Sequence, residues 1–199
     1  ASLSAPVAAA VVEAFDFSGA GAIVDVGGGR GALLAAVLRA QPEARGVLFE
    51  IESVAAAARP LLTAAGLAER CEVVAGDMFA AVPAGGDLYL LKWVLHDWDD
   101  ERALVILRNC RAAMTASARL LVIERVLPAR AAANEPGPNR FLSDLNMLLL
   151  SGGRERSEDE YRALLGGAGF ALRRVLATAT PHALLEAVPV PDEQTFANS

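Results

Sequence analysis

The sequence predicts a doubly wound α/β fold on a mostly parallel, seven-stranded, Rossmann-like sheet, and three observations predict it. Short apolar runs alternate with segments of helical periodicity, the pattern of parallel strands covered by helices. A glycine-rich turn, Gly27-Gly28-Gly29-Arg30-Gly31, leaves the first of these runs and enters a helical segment. Two further apolar runs come after the last helical segment and close the sheet.

Residues 22–26, 46–49, 71–74, 87–91 and 119–123 read as the first five strands. Between the first two, Leu34, Val37, Leu38 and Gln41 recur at helical spacing, and Pro42 closes that helix. After the fourth strand, Ala103, Ile106, Leu107, Cys110 and Met114 mark one face of another helix. Ala, Pro, Gly and Asn dominate residues 129–139, which read as a mobile loop. Residues 141–150 are apolar enough for a buried helix. Ser157 with Glu160 three residues later forms a capping box opening a helix over 159–165. Gly169 ends it, and residues 170–177 and 183–188 are the closing strands. Residues 189–199 read as a frayed tail, and one domain, 1–188, takes the rest.

The 199 residues suit one domain with a sizeable core. Hydrophobic residues make up 54%, much of it alanine, and no apolar run approaches the roughly 18 residues of a membrane span. The first residues lack the basic region of a signal peptide, so a cytoplasmic location is expected. Formal net charge is −6, with no cluster of Lys and Arg among aromatics. Nucleic acid is therefore not the expected partner, because phosphate binding needs a basic surface. A neutral or cationic small molecule fits that charge. Cys71 and Cys110 make neither a disulfide framework nor a metal-ligand set, and each lies in an apolar-periodic segment as a buried thiol.

The glycine turn carries the first chemical signal. Its glycines allow tight turning and close approach of a ligand, and the helix start presents unpaired N–H groups to an anionic group. Gly27, Gly29 and Ala32 also satisfy the dinucleotide fingerprint, so the turn alone leaves two cofactor classes open. Glu50 ends the second strand with a carboxylate placed to accept from ribose hydroxyls, a feature that NAD enzymes share. Gly76-Asp77-Met78-Phe79 offers an acceptor for an adenine amino group beside apolar side chains that can sandwich the ring; Asp77 also suits a plain turn after Gly76.

Taken together, these motifs resemble the class I S-adenosylmethionine-dependent methyltransferases. More narrowly, Leu91-Lys92-Trp93-Val94-Leu95-His96-Asp97-Trp98-Asp99-Asp100-Glu101 resembles the hallmark of the caffeate/acetylserotonin-type O-methyltransferases, a family that includes bacterial natural-product enzymes. The similarity runs from about Asp16 to Val188. The resemblance implies that Gly27, Glu50, Asp77, Met78 and Lys92 contact S-adenosylmethionine, with S-adenosylhomocysteine as the product. Plant members have Asp-Leu-Pro where this chain has Glu50-Ile51-Glu52; glutamate reaches one methylene further and still accepts two hydroxyl hydrogen bonds.

Only His96 and His182 are available as histidine bases. A phenol with pKa near about 10 is little ionised at neutral pH, whereas an imidazole near about 6.5 is mostly neutral and can take its proton. His96 comes after the fourth strand, at the carboxyl edge where doubly wound sheets bind ligands; His182, between the closing strands, reads as a surface or turn residue. The resemblance makes His96 the general base, with Glu124 and Glu155 as flanking acids that orient it. The plainer alternatives are a strand-end carboxylate paired with Arg125, and an ion-pair cluster of Glu155 with Arg154 and Arg156. Asp97, Asp99, Asp100 and Glu101 are expected to begin a helix.

In the family, the segment matching residues 141–150 lines the acceptor pocket, which makes Asp144 and Met147 substrate candidates, with core packing the alternative for Met147. Trp93 and Trp98 are either an aromatic wall or ordinary packing. Family members also carry a winged-helix-like segment that makes a homodimer, and nothing in this chain matches it. The expected activity is methylation of a hydroxyl on a small aromatic or polyketide-like molecule, without a metal. The competing readings are a catalytically idle S-adenosylmethionine-binding domain and an NAD-dependent oxidoreductase.

Overall fold

The computed structural model describes residues 4–128 and 153–191. The loop expected at 129–139, the helix expected at 141–150 with Asp144 and Met147, and most of the expected tail lie outside them. In chain order the elements are α1 (Ser4–Ala14), β1 (Ala22–Val26), α2 (Ala32–Ala40), β2 (Arg45–Glu50), α3 (Glu52–Ala64), β3 (Cys71–Ala75) and β4 (Leu88–Lys92). After a single 3-10 turn (Leu95–Asp97) come α4 (Asp100–Ala113), β5 (Arg119–Glu124), β6 (Val126–Leu127), β7 (Arg156–Ser157), α5 (Glu158–Gly167), β8 (Phe170–Ala177) and β9 (Ala183–Pro189).

Seven strands form one sheet in the order β3-β2-β1-β4-β5-β9-β8. The first five are mutually parallel, and β9 runs antiparallel to both β5 and β8. The expected strands are all present, each within a residue or so of its expected bounds. Alternation along β4 divides the core: Leu88 and Leu90 face α1 and α2 with Val11, Leu34 and Leu38, while Tyr89 and Leu91 face α4 and α5 with Ile106, Leu107 and Leu165. Cys71 and Cys110 are buried free thiols, held by burial up to about 11 and about 12.

Two helices carry no clear pattern in the sequence. The alanine-rich α1 has no distinct polar face, and α3 carries Pro60 in its interior, just past a run of four alanines. The capping box at α5 forms as its residues predict: Glu160 N–H donates to Ser157 Oγ and Ser157 N–H donates to Glu160 Oε2. Among the described residues no helix is long and apolar enough to cross a membrane.

The strand order places the site. From β1 the chain runs outward to β2 and β3, then returns to lay β4 on the other side of β1. That reversal opens a crevice past the carboxyl ends of β1 and β4. The small β6–β7 ladder, Val126 with Arg156 and Leu127 with Ser157, brings the segment before α5 against the end of β5.

Candidate active site

A cradle of backbone forms one side of the crevice. Gly27, Gly29 and Gly31 all adopt positive φ, at 65°, 59° and 78°, a region in which side chains are strained. At Gly28 the reason is space, since a Cβ there would collide with Leu48 Cδ1 and lie 2.6 Å from the Asp25 carboxylate. Gly27 N–H donates to Phe49 O at 2.9 Å, tying the turn to the end of β2. Glu50 completes the tie: Oε2 accepts from Gly29 N–H at 3.0 Å and Oε1 from Ile51 N–H at 2.9 Å.

Beside this turn lies a cavity of about 370 Å³ lined by residues that include Gly27, Glu50, Asp77, Met78, Trp93 and Asp97. Its volume is that of a small-molecule site. Four of the five expected cofactor residues, Gly27, Glu50, Asp77 and Met78, therefore share one wall. A Cβ on Gly27 would come within 2.9 Å of Val94 Cγ2 across it. Asp77 Oδ1 also accepts from Phe79 N–H at 2.8 Å, so the plain turn role exists as well. Lys92 is half-buried at the end of β4, its Nζ 3.2 Å from Ser4 Oγ and 3.9 Å from the centre of the Trp93 ring. Burial pulls its ammonium down, while Asp25 and Glu124 pull it up.

The opposite side is built from side chains. Trp93 leaves β4 with φ 59°, the single positive-φ residue other than glycine among those described. A side chain held there is strained by about 1–3 kcal/mol. Two anchors hold that conformation: Trp93 N–H donates to Ile123 O at 3.1 Å, and Glu124 fixes the next three residues. Glu124, the last residue of β5, is fully buried, and its Oε1 accepts from the N–H groups of Val94, Leu95 and His96 at 3.0, 3.0 and 3.4 Å. Its Oε2 faces His96 Nδ1 at 3.4 Å. The structure thus brings His96 and Glu124 together.

Asp97 is not part of the helix expected to begin there. It lies in the 3-10 turn with Oδ1 3.4 Å from His96 Nε2, because the cap falls to Asp99, whose Oδ1 accepts from Arg102 N–H at 2.9 Å. His182 sits in the β8–β9 turn as expected, yet it is half-buried and packs its ring 5.1 Å from that of Trp93. Burial, with Arg125, Lys92 and His96 nearby, drops it to about 4.

Burial governs the charges. It lowers His96 below the usual imidazole value, opposed by Asp97 and assisted by Arg125, Arg156 and Lys92. It raises Glu124 to about 8 against three N–H donors that favour the anion. The pair shares one labile proton between two groups that each resist carrying charge. Nδ1 is the ring nitrogen that faces the Glu124 carboxylate, and Nε2 is the one turned towards Asp97.

Glu155 is buried, with its Oε1 3.9 Å from Arg125 Nη1. Arg154 makes the remaining cluster with Asp100 and Glu160, at 3.2 and 3.0 Å. Two groups escape sequence reasoning. Asp25 is wholly buried beneath the glycine turn and pushed up to about 7; an acid inside an apolar strand was the available signal. Arg156 is wholly buried against the His96 turn, and nothing in its sequence neighbourhood distinguishes it from a surface arginine.

Comparison with known proteins gives the same site a family. A model described as an O-methyltransferase domain matches residues 2–171. A phenazine O-methyltransferase of Lysobacter antibioticus is 51% identical over 92% of this chain and 53% of its own length. The solved mitomycin 7-O-methyltransferase superposes with TM-score 0.89 at 46% identity, over 94% of this chain and 54% of that one. An O-methyltransferase from neocarzinostatin biosynthesis, solved with S-adenosylmethionine and 2-hydroxy-5-methyl naphthoic acid, superposes with TM-score 0.81 at 36% identity, over 92% and 53%. The chain spans about half the length of these relatives. The dinucleotide reading of the glycine turn gives way to this match, and the chain belongs to the family of O-methyltransferase domains.

Proposed function

We propose that this domain transfers a methyl group from S-adenosylmethionine to a hydroxyl of a small aromatic or polyketide-like molecule, with His96 as general base. The observation that carries the reading is the contact of His96 with the buried Glu124, in a turn whose residues Val94 and Asp97 line the cavity beside the glycine cradle.

S-adenosylmethionine, when bound, supplies a methyl group on a positively charged sulfur. The residues present fit it: the cavity has the needed size, and Gly27 lines it at positive φ, where a side chain would be strained and would collide with Val94. Gly27 admits the methionine end, Glu50 accepts from ribose hydroxyls, and Asp77 and Met78 take the adenine. Lys92 adds a cation at the end of β4. The chain's own chemistry is then a proton transfer. His96 Nε2 exchanges its contact with Asp97 for the acceptor hydroxyl and takes the proton as the oxygen forms its bond to carbon. Glu124 holds Nδ1–H and stabilises the imidazolium that results. Glu155, behind Arg125, balances charge around the ring. Base catalysis of this kind contributes about 10²–10⁴-fold, and alignment in the crevice supplies much of the rest.

Asp144 and Met147 remain candidates for the acceptor wall. Residues 1–188 are read as the catalytic unit, and the full-length protein as a cytoplasmic homodimer. The testing experiment screens the full-length protein for methyl transfer to a panel of aromatic hydroxyl acceptors, alongside calorimetry of S-adenosylhomocysteine against NAD. Methyl ethers and selective S-adenosylhomocysteine binding are expected; binding of NAD alone would overturn the reading.

A further inference from the structure

We infer that Arg156 is a positioning residue for His96, holding the base turn from its carbonyl side as Glu124 holds it from its N–H side. The inference rests on the proposed role of His96, and it begins from a charge in an unusual place. The Arg156 side chain is 0% exposed, and a buried guanidinium is tolerated only when paired and fully hydrogen-bonded.

Its bonds go to the two ends of the turn. Nη1 donates to Leu95 O at 2.8 Å, one residue before His96, and Nη2 donates to Trp98 O at 2.8 Å, two residues after it. Nε donates to Asp100 Oδ1 at 2.9 Å, which also lies 2.8 Å from Nη2, and Nη1 reaches Arg154 O at 3.4 Å. All five donors of the fork therefore find oxygen. The cation also lies 6.0 Å over the Tyr161 ring.

The geometry needs a fork. Leu95 O and Trp98 O face one side of a three-residue 3-10 turn, and a planar guanidinium spans them while a third arm holds α4 through Asp100. A lysine ammonium is a point donor and bridges no such span. Gly153 closes the same face, because a Cβ there would collide with His96 O. The turn is thus fixed along its whole length: carboxylate on Val94, Leu95 and His96 N–H, guanidinium on Leu95 and Trp98 C=O. A base must be held to fractions of an ångström to act on a bound hydroxyl.

The test reads His96 directly, since the chain has only two histidines. Nitrogen-15 NMR of histidine-labelled protein, at a pH above about 8 where the Glu124–His96 pair has given up its shared proton, is compared for wild type, Arg156→Met and Asp100→Asn. Wild type should show one His96 tautomer with the proton on Nδ1. In Arg156→Met both ring nitrogens should move towards the averaged shifts of a freely turning imidazole, with His182 unchanged. Asp100→Asn, at a half-exposed position, should move His96 in the same direction by less, and it decides alone if Arg156→Met does not fold. Turnover of the full-length variants supplies the second readout: kcat lower by about 10–100-fold for Arg156→Met, with acceptor KM within about twofold. His96 shifts identical to wild type in a folded variant would overturn the inference, whatever the turnover. Shifts that move while turnover holds would uphold the positioning and refute His96 as the base.

Discussion

The two sides of the crevice are made in different ways. The cradle between β1 and β2 is backbone: three positive-φ glycines, a turn tied to Phe49 O, and Glu50 bridging residues 21 apart. The base turn after β4 is side chain: Glu124 reaches it from 28–30 residues away and Arg156 from 58–61. The first takes its shape from the absence of side chains, and the second from the crowding of them. A backbone cradle tolerates chemical change nearby and fails when a Cβ is added. A side-chain clamp fails when a functional group is lost.

Each prediction presses on that contrast. The largest effect belongs to the base: His96→Gln should lower kcat by about 10²–10⁴-fold, with S-adenosylhomocysteine affinity nearly that of wild type by calorimetry. Loss of affinity on the same scale would mean that the turn and the cradle are one unit. Glu124→Gln should cost less, and the double variant should fall short of the sum, because both residues serve one proton transfer. Additive losses would separate the pair.

The cradle should show the opposite split. Gly28→Ala forces a Cβ against Leu48 and Asp25, so S-adenosylhomocysteine affinity should drop by about tenfold or more, the equivalent of about 1.4 kcal/mol. Unchanged binding would show that the turn has slack. Asp77→Ala should weaken the same ligand by about 1.5 kcal/mol, the low end for a hydrogen bond to a charged group at an exposed rim. Asp77→Asn keeps the acceptor to Phe79 N–H and so separates the turn role from the ligand role. Glu50 should show the smallest graded effect: Glu50→Gln retains partial binding and Glu50→Ala loses more. Equal binding by all three would confine Glu50 to holding Gly29 and Ile51.

The same contrast decides what the sequence discloses. Strands and the glycine turn are local patterns, so β1, β4 and β5 and the positions of Gly27, Glu50 and Asp77 are legible in the letters themselves. His96 is legible through its place after β4 and through the family motif. The network around it is not. Asp97 reads as one more acid at a helix start, yet the cap at Asp99 leaves it beside the imidazole. Arg156 sits between Glu155 and Ser157 like a surface residue, and only the β6–β7 ladder carries it into the core. His182 reads as a turn residue and is one, but contact with Trp93 depends on where the β8–β9 turn comes to rest. Glycine conformations are written next to each other in the chain; side-chain clamps are written 30 or 60 residues apart.

Stability carries its own pH signature. Asp25 has a folded value raised to about 7 and an ordinary value of 3.8, so its contribution is fully present below about 4 and is lost as pH rises through about 7. Asp25→Asn removes that dependence, and the melting temperature of the variant relative to wild type should therefore be higher at pH 8 than at pH 5. A constant difference would mean that Asp25 titrates normally.

The pH dependence of kcat, measured for wild type and His96→Gln with one phenolic acceptor at saturating S-adenosylmethionine, tests the base assignment most directly. Burial holds the shared proton on the Glu124–His96 pair, with Glu124 near about 8, so wild-type turnover should climb as the pair gives it up and level off above that pH. His96→Gln has no base to unmask, and its rate should keep climbing towards the ionisation of the phenol near about 10. The gap between the two enzymes should therefore narrow steadily at alkaline pH. A gap that stays constant across the whole range would contradict proton transfer to His96 and leave a methyltransferase that works by alignment alone.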